Sequence, residues 1–289
     1  MKIGNEHTMY RILEFVPGVL AWGTIAAVIG ASWRFPEAAA IFIILFDIYW
    51  LFKTIYLSLH LRAAFRRMRA NMQTDWLAKL SELQPTTYNL QPRWRDIHHL
   101  VIMPMAHEPY EIIRESFEAL AASHYPKDRL IVVLAREARI SESDAITQKI
   151  TQEFSGVFAH LLACAHPDGL IGEIRGKGSN EAWAAAEVKR AIIDPAGIPY
   201  DDIIVSVFDA DTQTGPEYFG VLTHAFLKAP HPLRSSYQPI PLFVNNIFQA
   251  PALARVIAFA SSFWHMIQQA RPERLTTFSS HAMSFAPLV

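Results

Sequence analysis

Asp209 and Asp211 flank a single alanine at the end of a run that is apolar but for Ser206, Ile203-Ile204-Val205-Ser206-Val207-Phe208. Two carboxylates at this spacing offer hard oxygen ligands to Mg²⁺ or Mn²⁺, and such an ion bridges readily to phosphate oxygens. It would neutralise a diphosphate as a bond to it breaks. The bland alternative is a turn into a helix, because Thr212 and Thr214-Gly215-Pro216-Glu217 follow and Asp211 could act as a cap. A second cluster is Arg175-Gly176-Lys177-Gly178-Ser179-Asn180. A glycine-flanked lysine ahead of a helix N-terminus suits anionic phosphate. The spacing is not that of a Walker A loop, and an exposed, capped turn has the same pattern. Glu108 and Glu137 complete the set, since each follows an apolar run that reads as a strand.

These residues need elements to hold them. From residue 98 the chain alternates short apolar runs with helical spacing. Leu100-Val101-Ile102-Met103 reads as a buried strand closed by Pro104, and a helix is expected over 110–123. Leu130-Ile131-Val132-Val133-Leu134 is the next strand. A helix follows over 141–162, a weaker strand over 170–174, a helix over 180–192 and a strand over 203–208. Strands alternating with helices predict a mostly parallel sheet built from right-handed crossovers. Ligands of such sheets bind beyond the carboxyl ends of the strands, where Glu108, Glu137 and Asp209 are expected. Residues 251–270 predict an apolar helix with Ala252, Val256, Phe259, Phe263 and Met266 on one face. Core packing and an acceptor-side or membrane-surface position are both open for it.

The first sixty residues are of another kind. Two apolar stretches, 12–32 and 38–59, each have about 20 residues, enough to cross a ~30 Å hydrocarbon core. Residues 33–37, Trp-Arg-Phe-Pro-Glu, read as the turn of a transmembrane hairpin. Asp47 is carried by its apolar neighbours, and Lys53 can snorkel. A cleaved signal peptide does not fit, because the first stretch is too long and a second follows directly. Arg62, Arg66, Arg67 and Arg69 follow the second stretch, whereas the turn has only Arg34. The positive-inside rule therefore places everything after residue 60 in the cytoplasm. Residues 61–97 read as a juxtamembrane helix and linker, and 98–289 as the second domain. The 289 residues are 51% hydrophobic and 18% charged, with a net charge of -1, which gives no bulk attraction to nucleic acid. The single cysteine, Cys164, excludes an internal disulfide and a Cys-based zinc site.

Taken in order, strand-Pro104-Met105-Ala106-His107-Glu108, a second strand, Gly-Lys-Gly-Ser-Asn and strand-Asp-Ala-Asp resemble the family 2 glycosyltransferases with the GT-A fold. The resemblance covers residues 98–289. It implies an α/β Rossmann-like domain behind the N-terminal transmembrane hairpin, in an inner or plasma membrane. It further implies an inverting enzyme that moves a sugar from a nucleotide-sugar, a UDP-sugar being favoured, to a glycan or lipid-linked acceptor. Ala106 and Glu108 would line the nucleoside pocket, with His107 where the family commonly has Asn. Lys177 would contact the nucleotide or its phosphates. Asp209 and Asp211 would be the donor and metal carboxylates, with Mg²⁺ or Mn²⁺ between them. Glu137 would substitute for the aspartate that binds the base in relatives.

The segment 277–285 resembles the stretch ahead of the family's acidic catalytic loop. The general base is accordingly expected after residue 289, in a chain that reads as truncated. A haloacid-dehalogenase phosphatase also uses strand-Asp-x-Asp, but Gln213 stands where that motif needs Thr or Val. A noncatalytic membrane protein retaining a nucleotide-sugar pocket is the alternative of a different class.

Overall fold

The computed structural model describes residues 3–83, 94–245, 247–269, 277 and 280–289. It divides into two compact units, Met1–Arg62 and Ala63–Val289. In the first, α1 (Ile3–Arg34) and α2 (Pro36–Met72) are separated by Phe35 alone, so the expected five-residue turn shrinks to one residue. Pro36 occupies the first helical position, where its missing N–H costs no intrahelical bond. The two helices are long and apolar enough to cross a membrane, and their apolar windows are 0% and 6% buried. That exposure separates them from the buried core helix of a soluble domain. The Lys53 ammonium lies over the Trp50 ring, 5.0 Å from its centroid, and donates to the Tyr49 hydroxyl at 3.3 Å. Instead of ending near residue 60, α2 continues to Met72. The juxtamembrane helix expected after it is thus partly α2 itself and partly α3 (Trp76–Ser81). Of the linker expected in the later part of 61–97, residues 84–93 lie outside the described residues.

The second unit is a mixed α/β domain. Its elements are β1 (His98–Met105), α4 (Tyr110–Ala121), β2 (Leu130–Glu137), α5 (Glu142–Glu153), β3 (His160–His166) and α6 (Lys177–Val188). A π turn carries α6 into α7 (Asp194–Ala196). Then come β4 (Ile203–Val207), α8 (Tyr218–Lys228), β5 (Ser236–Tyr237), α9 (Ala252–Gln269) and β6 (His281–Ser284). The six strands order as β3-β2-β1-β4-β6-β5. The four from β3 to β4 are parallel, while β6 runs antiparallel to both β4 and β5.

Period-two alternation divides the core into two layers. Val101, Met103, Leu130, Val132 and Leu134 face one side and pack with Ile113, Phe117 and Ile150 of α4 and α5. Leu100, Ile102, Ile131, Val133, Ile203 and Val205 face the other and pack with Ala184 and Val188 of α6. Burial on both faces is why these strands read as continuous apolar runs.

Three elements depart from the sequence reading. Pro104 does not close β1; the strand runs to Met105, with Pro104 in register with Ala135. The Ile102 carbonyl accepts from Phe208 N on the β4 side, so alternation turns the nitrogen of Pro104 to that same side, past the end of β4. No ladder bond is lost there. The helix expected to reach residue 162 stops at Glu153, because Gly156 takes a left-handed conformation (φ 74°) and the chain turns back between buried Phe154 and Phe158. The strand expected over 170–174 lies instead at His160–His166. Residues 168–175 form turns closed by an Arg175–Asp168 ion pair of 2.9 Å, with Ile171 and Ile174 fully outside the sheet.

Candidate functional site

β4 delivers Phe208 into the core, and alternation continues past its end: Phe208 and Ala210 are buried, Asp209 is half-exposed and Asp211 is exposed. The turn is fixed from three sides. Ser116 of α4 donates its hydroxyl to the Ala210 carbonyl at 2.8 Å, and Thr212 N donates to the Asp209 carbonyl at 2.9 Å. Asn245 donates through Nδ2 to the Asp211 carbonyl at 2.7 Å. Both carboxylates are thereby set on the outer side of a pinned backbone.

Lys177 reaches this turn from the first residue of α6. Its ammonium is ion-paired with the Asp209 carboxylate and lies 3.7 Å from Glu181 one turn along the same helix. Gly176, which precedes the helix, has φ 158° and ψ -179°, a conformation residues with side chains rarely adopt. The helix start is held against the sheet by Asn180, whose Nδ2 donates to the Ala135 carbonyl near the end of β2 at 3.0 Å. Burial raises the Glu181 carboxyl, with Lys177 and His281 opposing that rise and Asp209 adding to it. His281 opens β6 in register with Val207 of β4, which brings it beside the same group. A cation, a histidine and two carboxylates thus converge at the carboxyl end of β4.

Glu108 sits in the turn after β1, where its Oε2 accepts from Ala106 N at 2.6 Å. The carboxylate shapes its own turn, with Ala106 and Glu108 partly buried and His107 exposed. Glu137 ends β2 and is buried. Its Oε2 lies 3.4 Å from His166 Nδ1, its register partner on β3, and 3.7 Å from Arg139 Nε. His166 Nε2 in turn lies 2.9 Å from Glu173. Glu137 therefore faces the β3 side, with its interactions made inside the protein, whereas Lys177 and Asp209 meet over β4. Sequence reasoning assigns no role to Glu181, His281, Ser116 or Asn245. Only Glu181 carried a local signal, its four-residue spacing from Lys177.

Among the described residues no three His, Cys, Asp or Glu side chains group to hold a metal. Asp209 and Asp211 supply two carboxylates, one of them already paired with a lysine. Such a pair fits Mg²⁺ or Mn²⁺ only as part of a shell completed by phosphate oxygens and water, the usual mode of Mg²⁺ at phosphate sites.

Fold and site together define an α/β domain with a charged cluster beyond the carboxyl ends of its parallel strands. No protein-family model and no curated protein sequence matches the chain. Among solved structures it is similar to the mannosyltransferase PcManGT from Pyrobaculum calidifontis, in complex with GDP-Man and Mn²⁺. The TM-score is 0.42 at 16% identity, covering 80% of this chain and 55% of that one. It is also similar to S. aureus TarS 1-349, with a TM-score of 0.37 at 14% identity, covering 66% of this chain and 48% of that one. TarS 1-349 in complex with UDP-GlcNAc matches with a TM-score of 0.33 at 14% identity, over 53% of this chain and 43% of that one. The chain thus spans about half the length of the solved structures it matches.

Proposed function

We propose that this chain is a membrane-anchored glycosyltransferase of the family 2, GT-A type, using a nucleotide-sugar donor. The observation that carries the reading is the Lys177–Asp209 ion pair at the carboxyl end of β4, with Asp211 exposed beside it. A cation and two carboxylates at one strand end suit a diphosphate with its divalent ion. Lys177 binds phosphate oxygens at the start of α6, where the helix dipole favours negative charge. Asp209 and Asp211 would hold Mg²⁺ or Mn²⁺, which would supply charge neutralisation to a leaving diphosphate. Because Asp209 is paired with Lys177 in this structure, that contact would open when Lys177 turns to phosphate oxygens of the donor.

The turn bearing Ala106 and Glu108 forms the nucleoside side of the pocket, and Glu137 substitutes there for the aspartate that binds the nucleobase in family 2 relatives. We assign the donor as a UDP-sugar, the acceptor as a glycan or lipid-linked sugar, and the stereochemical course as inversion. No described residue is assigned as the base. The exposed apolar helices α1 and α2 cross the membrane, and the arginines from Arg62 to Arg69 keep the second unit on the cytoplasmic side.

Calorimetry on the full chain in lipid nanodiscs tests this. A panel of UDP- and GDP-sugars is titrated with and without Mn²⁺, on wild type and on Asp211→Ala. Metal-dependent binding by wild type and its loss in Asp211→Ala are expected. Unchanged affinity in Asp211→Ala sinks the metal assignment, and no binding of any nucleotide-sugar by wild type sinks the proposal.

A further inference from the structure

α9 is amphipathic: Leu253, Val256, Ile257, Phe263 and Trp264 share one face, while Arg255, Ser261, Ser262, His265, Gln268 and Gln269 lie around the other, and the apolar face is the uncovered one. Only Ser262 and Met266 are buried, and the helix is seated by Phe243 N donating to the Ser262 hydroxyl at 3.2 Å and by Gln269 Nε2 donating to the Gln238 carbonyl at 2.5 Å. Leu253, Val256, Ile257, Phe263 and Trp264 are exposed, with Ile257 at 58% and Val256 at 64%. The five-residue face expected over Ala252, Val256, Phe259, Phe263 and Met266 thus divides, Met266 alone of the five entering the core. Phe248, on the loop leading into the helix, is 93% exposed. An amphipathic helix normally turns its apolar face into the core; here that face is turned outward, and an exposed apolar patch of this kind marks a protein or a membrane contact.

Charge selects between the two. The chain has no Asp or Glu between Glu217 and Glu273, while Lys228, Arg234, Arg255 and Arg271 lie in that interval. Arg255 is exposed on α9. Within this acid-free stretch of sequence α9 itself carries one charge, Arg255, and a helix bearing that cation with Trp264 and aliphatic side chains complements an anionic headgroup layer above hydrocarbon. We infer that α9 and the Phe248 loop dock on the surface of an anionic lipid bilayer, with the apolar side chains entering the headgroup–acyl boundary. The inference rests on the proposed membrane anchoring, which keeps the second unit within reach of lipid.

Site-directed nitroxide labelling of the full chain in vesicles of phosphatidylcholine and phosphatidylglycerol tests it. Cys164 is buried, so unsubstituted protein serves as the labelling blank. Labels are placed through Ile257→Cys on α9, Ile44→Cys on α2 and Asp128→Cys as a water-exposed reference. Collisions with lipid-soluble O₂ are compared with those with a water-soluble nickel chelate. The Ile257→Cys label is expected to favour O₂, as Ile44→Cys does, and to lose part of that preference when phosphatidylglycerol is omitted. O₂ preference at 44 with nickel preference at 257 overturns the docking inference and leaves the anchoring intact. Shielding of 257 from both reagents also overturns it, since a protein partner or second copy then covers the helix. Nickel preference at 44 overturns the anchoring and the docking together. An unchanged ratio without phosphatidylglycerol overturns the anionic assignment. Because the Ile257 side chain is exposed, its substitution leaves the fold in place for every one of these readings.

Discussion

The Ser116 hydroxyl donates to the Ala210 carbonyl at 2.8 Å, tying α4 to the residue between the two aspartates. Both partners are buried, so the bond is shielded from competing water. Ser116→Ala removes the donor and leaves a buried carbonyl, at a cost of about 1–3 kcal/mol. The expected outcome is a lower melting temperature together with weaker Mn²⁺-dependent nucleotide binding, because the turn carrying both carboxylates loosens. Thermal unfolding of the detergent-solubilised chain and calorimetry check the two effects.

Lys177→Ala is expected to move two affinities in opposite directions. Nucleotide-sugar binding weakens about tenfold, equivalent to ~1.4 kcal/mol, through loss of a phosphate contact. Binding of Mn²⁺ alone strengthens, because the cation that competes for Asp209 is gone. Electron paramagnetic resonance of free Mn²⁺ measures the second effect directly. A fall in both affinities would place Lys177 in support of the metal site rather than in competition with it.

His99 is fully buried, and its imidazole lies 2.8 Å from the Thr223 hydroxyl and against the rings of Tyr125 and Phe219. Burial, with a smaller contribution from neighbouring His98, holds its pKa down at about 3 against an ordinary 6.5. The folded state therefore keeps the ring neutral while the unfolded chain takes up a proton. The associated stability is complete above pH 6.5 and is lost as pH falls toward 3, at roughly 1.4 kcal/mol per pH unit. Urea unfolding between pH 7 and 5 should show this slope, and His99→Gln should flatten it.

Gly220 of α8 packs under Trp76 of α3, where an added Cβ would lie 2.8 Å from the tryptophan Cβ. Trp76 N also donates to Glu217 at 3.2 Å, so the docking of α3 depends on this close approach. Gly220→Ala is expected to destabilise the second unit by about 1–3 kcal/mol through overpacking. Trp76 fluorescence should shift as α3 lifts away, and an unchanged spectrum with unchanged stability would contradict it.

Much of the framework is legible without coordinates. β1, β2 and β4 are buried on both faces, so each appears as a largely apolar run, and Asp209 follows the third of these at a strand end whatever the rest of the fold does. The apolar lengths of α1 and α2 are likewise a property of composition. Edge strands carry less signal: β3, His-Leu-Leu-Ala-Cys-Ala-His, is half-exposed, and the more apolar Leu170-Ile171 competes with it on paper. What excludes that competitor is the occupied edge of β2, a neighbour the local pattern does not contain.

The site divides in the same way. Residue types and spacing single out Asp209, Asp211 and Lys177, because acids and lysines next to strand ends and glycines stand out locally. That Lys177 pairs with Asp209, 32 residues on, and that Glu137 turns inward to His166, follow from sheet order and register. His281 joins the cluster only because β6 inserts antiparallel beside β4. Burial and helix periodicity are encoded residue by residue, whereas these meetings depend on which strands become neighbours, a choice made by packing across the whole sheet.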